Sequence, residues 1–95
     1  MKHHILVKFN ETVADKAKIA DEAKALFSEL SGKNGIHDVT VKNNCINREN
    51  RYDMMIIIDM EKDALGFYDE SEQHKKWKKE YACYILNRAI FDSED

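Results

Sequence analysis

The chain has 95 residues, a length that suits one small domain over residues 1–95. Its 15 Lys and Arg stand against 18 Asp and Glu, a formal net charge of −3, which argues against non-specific nucleic-acid binding because that binding needs a dense positive field. Apolar residues make up 43%, an ordinary globular share that argues against disorder, and no apolar run is long enough to span a bilayer.

The opening residues MKHHILVKF lack the apolar core and small-residue cleavage site of an export signal. The expected location is therefore the cytoplasm, with Cys45 and Cys83 as free thiols; a Cys45–Cys83 disulfide is the alternative. From Lys2 to Phe9 the side chains alternate at the two-residue period of a strand, with His3 on the Ile5 and Val7 face and His4 on the other. Thr12-Val13-Ala14-Asp15 is a variant capping box that predicts a helix start. Ile19, Ala20, Ala23, Leu26, Phe27 and Leu30 follow at helical spacing, and Gly32 is placed to end the helix.

Gly35 and Ile36 lead into a second alternating run, with Val39, Val41 and Cys45 on one side and Thr40 and Lys42 on the other. Asn43, Asn44 and Asn47 to Asn50 mark a polar loop. Tyr52 to Met60 reads as the strongest strand, apolar on both sides: Met54, Ile56 and Ile58 on one, Met55 and Ile57 on the other. Helices of a single-sheet domain cover one face, so two dry faces predict a second copy of the chain against the open side. Lys62 to Asp69 predicts a short helix with Leu65 and Tyr68 inward. Ser71 can cap a further helix running to about Tyr84, and Leu86 to Asp92 forms a last strand. The order strand, helix, strand, strand, helix, strand defines a ferredoxin-like α+β fold, βαββαβ, with a four-stranded antiparallel sheet.

The stretch EQHKKWKKEY, Glu72 to Tyr81, poses the question of function most sharply. On a helix, His74, Trp77 and Tyr81 fall at i, i+3 and i+7 and share one face, which Ile85 extends, while Lys75, Lys76, Lys78 and Lys79 take the remaining circumference. The lysines read as a solvated face and the aromatics as the side that docks on the sheet. Nucleic acid and membrane are accordingly not expected partners.

These residues together resemble the stress-responsive α/β-barrel domain family, within the dimeric α+β barrel superfamily. The resemblance rests on KHHILVKF, on RYDMMIIIDM with Leu65 and Tyr68 after it, on YDESEQHKKW and on the closing AIFDSE. It implies a homodimer, a dimeric α+β barrel whose two sheets face each other, with a small apolar pocket in each subunit. His3, Ile5, Val7, Ile56, Ile58, Trp77 and Tyr81 would line that pocket. The chain is also similar to a plant polyketide cyclase of this family, which closes a linear polyketide by intramolecular aldol condensation. Its first-strand histidine matches His3, its short-helix tyrosine Tyr68, its catalytic base His74 and the aromatic one turn later Trp77. Two departures stand out. The cyclase's first-helix tyrosine falls here near Ala25 or Leu26, and the family's His-Pro-x-His run is here Ser71-Glu72-Gln73-His74, without the first His and the Pro.

By this resemblance His74 is a candidate general base, removing a proton from a carbon next to a carbonyl, with Tyr68 orienting the ring or stabilising the developing enolate. The plainer reading makes His74 a helix-face histidine and His3 an edge-strand residue at a mobile N-terminus. Adjacent His3 and His4 point to opposite faces of a strand, so they predict no metal site, and no cofactor is expected. Met54, Met55 and Met60 read as packing at a dimer seam. Haem-degrading monooxygenases share the superfamily fold and use an Asn, Trp and His set. Asn10, Trp77 and His74 are present here, but His74 precedes Trp77 by less than one turn, unlike that family's order. Three functions stay open: a homodimer that binds a small apolar or carbonyl-containing ligand, a cofactor-independent lyase or cyclase, and a structural dimer module with its cavity filled by Trp77, Tyr81 and Phe67.

Overall fold

Alternation in the first strand, β1 (Lys2–Phe9), puts His3, Ile5, Val7 and Phe9 on one face, all buried, and Lys2, His4, Leu6 and Lys8 on the other. The computed structural model describes residues 1–94 and continues with α1 (Lys16–Ser28), β2 (Ile36–Asn43), β3 (Met54–Met60), α2 (Leu65–Glu70), α3 (Glu72–Tyr81) and β4 (Ile85–Ser93). One-turn 3₁₀ segments, Lys62–Ala64 and Ala82–Tyr84, precede α2 and follow α3. The strands lie in the order β2-β3-β1-β4 with every neighbouring pair antiparallel, as a ferredoxin-like βαββαβ chain requires.

Several element ends differ from the sequence reading. Asp15 alone caps α1, its side chain accepting the Lys18 N–H at 3.1 Å, while the Thr12 hydroxyl bonds Asn10 instead. The helix stops at Ser28, before Gly32, which sits in the turn beyond it at φ 82° and donates its N–H to Ile36. β2 ends at Asn43, so Cys45 lies exposed in the loop, and β3 begins at Met54, two residues after Tyr52. Ile85 opens β4 rather than extending the helix, because the 3₁₀ turn tightens the chain after Tyr81.

The core lies between one sheet face and the helices. Ile5 and Val7 of β1, Met54, Ile56, Ile58 and Met60 of β3 and Val39 of β2 meet the α1 stripe Ile19, Ala20, Ala23, Leu26 and Phe27. Each large side chain buried there contributes about 1.5–3 kcal/mol. Asp53 ties β1 to the start of β3, accepting the Phe9 N–H at 2.8 Å and the Lys16 ammonium at 2.9 Å.

The opposite sheet face carries an apolar band without helices above it. Leu6, Met55 and Ile57 are half-buried there and Phe91 is 62% exposed. Lys2, Lys8, Lys42, Asp38 and Asp59 stand around them on the same face, as the strand register requires. β3 is therefore apolar on both sides, with the second side left partly open.

β4 is an edge strand, and its inner side is poorly covered, because α3 packs on α1 more closely than on β4. Arg88, Ile90 and Asp92 pair with Val7, Ile5 and His3 and so share their face. Leu86 is the extra residue of a bulge between the Lys8–Asn87 and Phe9–Ile85 pairs.

Candidate functional site

The gap that α2 and α3 leave above β1 and β4 is a cleft of about 290 Å³. From the sheet come His3, Ile5, Arg88, Ile90 and Asp92, and from the helices Leu65, Tyr68, Asp69, His74, Trp77 and Lys78. Strand alternation delivers the first set and helical spacing the second, so local periodicity aims both at one space.

His3 is not an edge-strand residue. β1 is interior to the sheet, His3 is buried, and its Nδ1 meets Asp92 Oδ1 at 2.5 Å across the β1–β4 pair. The edge of its ring meets Tyr68, with centroids 5.2 Å apart at 61°. Tyr68 is 1% exposed. Burial first, and then the Asp69 carboxylate, hold its phenol well above the ordinary range, with Arg88 offsetting part of the effect. At neutral pH Tyr68 is thus a proton-bearing hydrogen-bond donor. Its hydroxyl has no hydrogen-bond partner among the described residues, and no fully buried side-chain polar atom is left unpaired, so the hydroxyl opens on the cleft.

His74 comes from the first turn of α3, its ring 4.7 Å from that of Tyr68 at 40°. Its Nδ1 lies 2.9 Å from the Asp69 carbonyl oxygen. A carbonyl only accepts, so Nδ1 carries the proton, and in the neutral ring Nε2 keeps a lone pair. Ser71 fixes the two elements relative to each other. Its hydroxyl donates to the Tyr68 carbonyl at 2.7 Å and accepts the His74 N–H at 3.1 Å. A neutral donor and an imidazole acceptor side by side in an apolar cleft can hold a carbonyl oxygen and take a proton from the adjacent carbon.

Trp77 forms the inner wall, 1% exposed, between Phe27 at 5.6 Å and Tyr81, on which it stacks at 4.8 Å and 24°. Tyr81 itself lies behind Trp77 and does not line the cleft. Its hydroxyl donates to Glu22 Oε1 at 2.8 Å, and burial followed by that carboxylate pushes its pKa up to about 12. Val7, Ile56 and Ile58 are fully buried core residues beneath the cleft floor rather than part of its lining. Phe67 also packs against the core and leaves the cleft open.

Asn10 follows the far end of β1 from His3, where its side chain donates to the Cys83 carbonyl and accepts from Thr12, so Asn10, Trp77 and His74 do not form one site. Cys45 and Cys83 are free and exposed, which removes the disulfide alternative. Of the α3 lysines, Lys75, Lys76 and Lys79 face solvent and Lys76 pairs with Glu80 at 3.8 Å, whereas Lys78 reaches the cleft rim. Sequence reasoning missed Asp69, Lys78, Arg88, Ile90 and Asp92. Alternation in Leu86 to Asp92 was the signal available for the last three, once β4 is known to border β1. No helix of the described residues is long and apolar enough to cross a membrane, and no described cluster of His, Cys, Asp or Glu is arranged to hold a metal ion.

Fold and cleft together define a ferredoxin-like α+β protein with a cavity between its sheet and its helices. The chain belongs to the stress responsive A/B barrel domain family, whose profile matches residues 1–95. Solved structures agree on the fold. A dimeric protein of unknown function and ferredoxin-like fold from Bacteroides fragilis is 24% identical, with a TM-score of 0.71, over 99% of this chain and 94% of that one. A dimeric ferredoxin-like protein of unknown function from Thermobifida fusca is 16% identical, with a TM-score of 0.75, over 95% and 85%. A protein of the same family from Mesorhizobium loti is 10% identical, with a TM-score of 0.73, over 99% and 94%. No curated protein matches the chain significantly.

Proposed function

We propose that this protein is a homodimer that binds a small carbonyl-containing ligand in the cleft between its sheet and helices. The unpartnered Tyr68 hydroxyl beside the His74 ring carries this reading, because the two groups offer a donor and an acceptor to one bound molecule. Dimerisation is supported by the apolar band of Leu6, Met55, Ile57 and Phe91 on the open sheet face, and by the dimeric state of the proteins from B. fragilis and T. fusca.

A second reading, favoured by the His74–Asp69 hydrogen bond, makes the protein a cofactor-independent lyase or cyclase. His74 Nε2 takes a proton from the carbon next to the bound carbonyl. The negative charge then develops on the carbonyl oxygen, where the Tyr68 hydroxyl donates to it, and the carbanion equivalent is free to attack a second carbonyl or be reprotonated.

Both readings are tested with 2-octanone as the probe. Binding shifts the NMR resonances of Tyr68, His74 and Trp77, and in deuterated buffer the second reading adds exchange of the protons next to the carbonyl. His74→Gln keeps the binding and loses the exchange. Absence of any shift at these three residues rejects the ligand reading, and exchange that survives in His74→Gln rejects His74 as the base.

A further inference from the structure

Beside the cleft lies a second hollow of about 360 Å³, between α3 and β4. Trp77, Lys78 and Arg88 border both, so the two form one trough along the uncovered inner side of β4. The second hollow is apolar through Ala82, Ile85 and Leu86, and it has no carboxylate in its lining. Leu86 of this hollow is 66% exposed, and Ile90, which lines the cleft on the other side of Arg88, is 53% exposed.

The charges along the trough are unevenly matched. Asp92 is taken up by His3, while Lys78 and Arg88 form no ion pair with a described residue. Asp69 is the one other carboxylate on the trough, and it lies at the Tyr68 and His74 end. The two carboxylates lie on the cleft side of Arg88, so the second hollow has two cations, no carboxylate and a local positive surplus beside its apolar floor. That surplus suits a single negative charge better than a double one, and an aliphatic tail better than a sugar or a peptide. The Arg88 fork also matches the planar geometry of a carboxylate.

We propose that the trough binds aliphatic carboxylates, with the carboxylate held between Lys78 and Arg88 and the tail laid over Leu86, Ile85 and Ala82. The inference rests on the ligand reading above and narrows it: the natural ligand is an acid with an apolar chain.

Trp77 is the chain's single tryptophan and borders both hollows, so its fluorescence reports occupancy directly. The experiment titrates the dimeric protein with octanoate, octan-1-ol and octyl phosphate, and repeats the titrations with Arg88→Gln and Lys78→Gln. Both residues are exposed, so the variants are expected to fold. Octanoate should bind on the order of tenfold more tightly than octan-1-ol, and either variant should remove most of that preference by weakening octanoate far more than octan-1-ol. Equal binding of octanoate and octan-1-ol overturns the anion site and leaves the ligand cleft standing. A preference for octanoate that persists in both variants overturns the assignment to Lys78 and Arg88. Tighter binding of octyl phosphate than of octanoate overturns the single-charge argument. No response of Trp77 to any of the three overturns the trough and the ligand cleft together.

Discussion

The rings of Tyr68 and His74 lie 4.7 Å apart although they belong to different helices. Ser71 sits between them in sequence and joins them in space, through a hydroxyl that donates to one backbone and accepts from the other. The same hydroxyl therefore caps α3 and sets the geometry of the candidate site. Ser71→Ala should cost about 1–2 kcal/mol of stability, the usual loss for a helix cap that is also buried. Urea unfolding measures that cost. The variant should also weaken binding in the cleft while the far end of the sheet is undisturbed, and an NMR comparison of the two regions checks it.

Phe27 of α1 is fully buried and contacts both Tyr68 and Trp77, with ring centroids at 6.2 Å and 5.6 Å. It supports the cleft from behind. Phe27→Ala should cost about 3–5 kcal/mol through the cavity it leaves, a large share of the 5–15 kcal/mol typical of a small domain. Phe27→Leu should retain the fold and broaden the signals of Tyr68 and Trp77. Thermal unfolding of both variants, beside the wild type, provides the measurement.

The Tyr81–Glu22 contact predicts a loss of stability in alkali. The folded pKa of Tyr81, about 12, stands above the value near 10 of an unfolded tyrosine. Below pH 10 both states are neutral and the contribution is complete. Between about 10 and 12 the unfolded chain ionises first, so the folded state loses its advantage as pH rises. Tyr81→Phe should flatten that fall. It should also remove one phenol that ionises only at high pH from the ultraviolet titration, with the elevated Tyr68 still present.

The open face of the sheet predicts a specific way to separate the subunits. Ile57 is half-buried at its centre, opposite His4 on β1 and Thr40 on β2. Ile57→Lys should leave circular dichroism unchanged, since in one subunit this face meets solvent. Sedimentation at micromolar concentration should then show the 11.1 kDa species, and the wild type should sediment at twice that mass.

The sequence carried the fold because its periodicities are local. Ile5, Val7 and Phe9 at period two, the α1 stripe from Ile19 to Phe27 and the grouping of His74 with Trp77 are readable within single elements. The two-sided apolar character of Met54 to Ile58 pointed to the open face in the same way. What depends on pairing distant segments was hidden. His3 looked like an edge residue because nothing near it in sequence reveals β4 on one flank and β3 on the other. Its partner Asp92 is 89 residues away, and Arg88 becomes a trough residue only once β4 is placed beside β1. Tyr81 kept its predicted helix face, but the stack of Trp77 in front of it takes the cleft wall, so sharing a face was not enough to reach the cavity. The cap at Ser71 was visible, whereas its second bond, to the Tyr68 carbonyl, depends on the sharp junction of α2 and α3.

A crystal of the protein soaked in 2-octanone tests the central claim most directly. Density for the ketone is expected inside the cleft, its oxygen within hydrogen-bond distance of the Tyr68 hydroxyl and the adjacent carbon facing His74 Nε2. A cleft that holds only water while the ketone sits elsewhere, or a ketone bound with its oxygen turned away from both side chains, would contradict it.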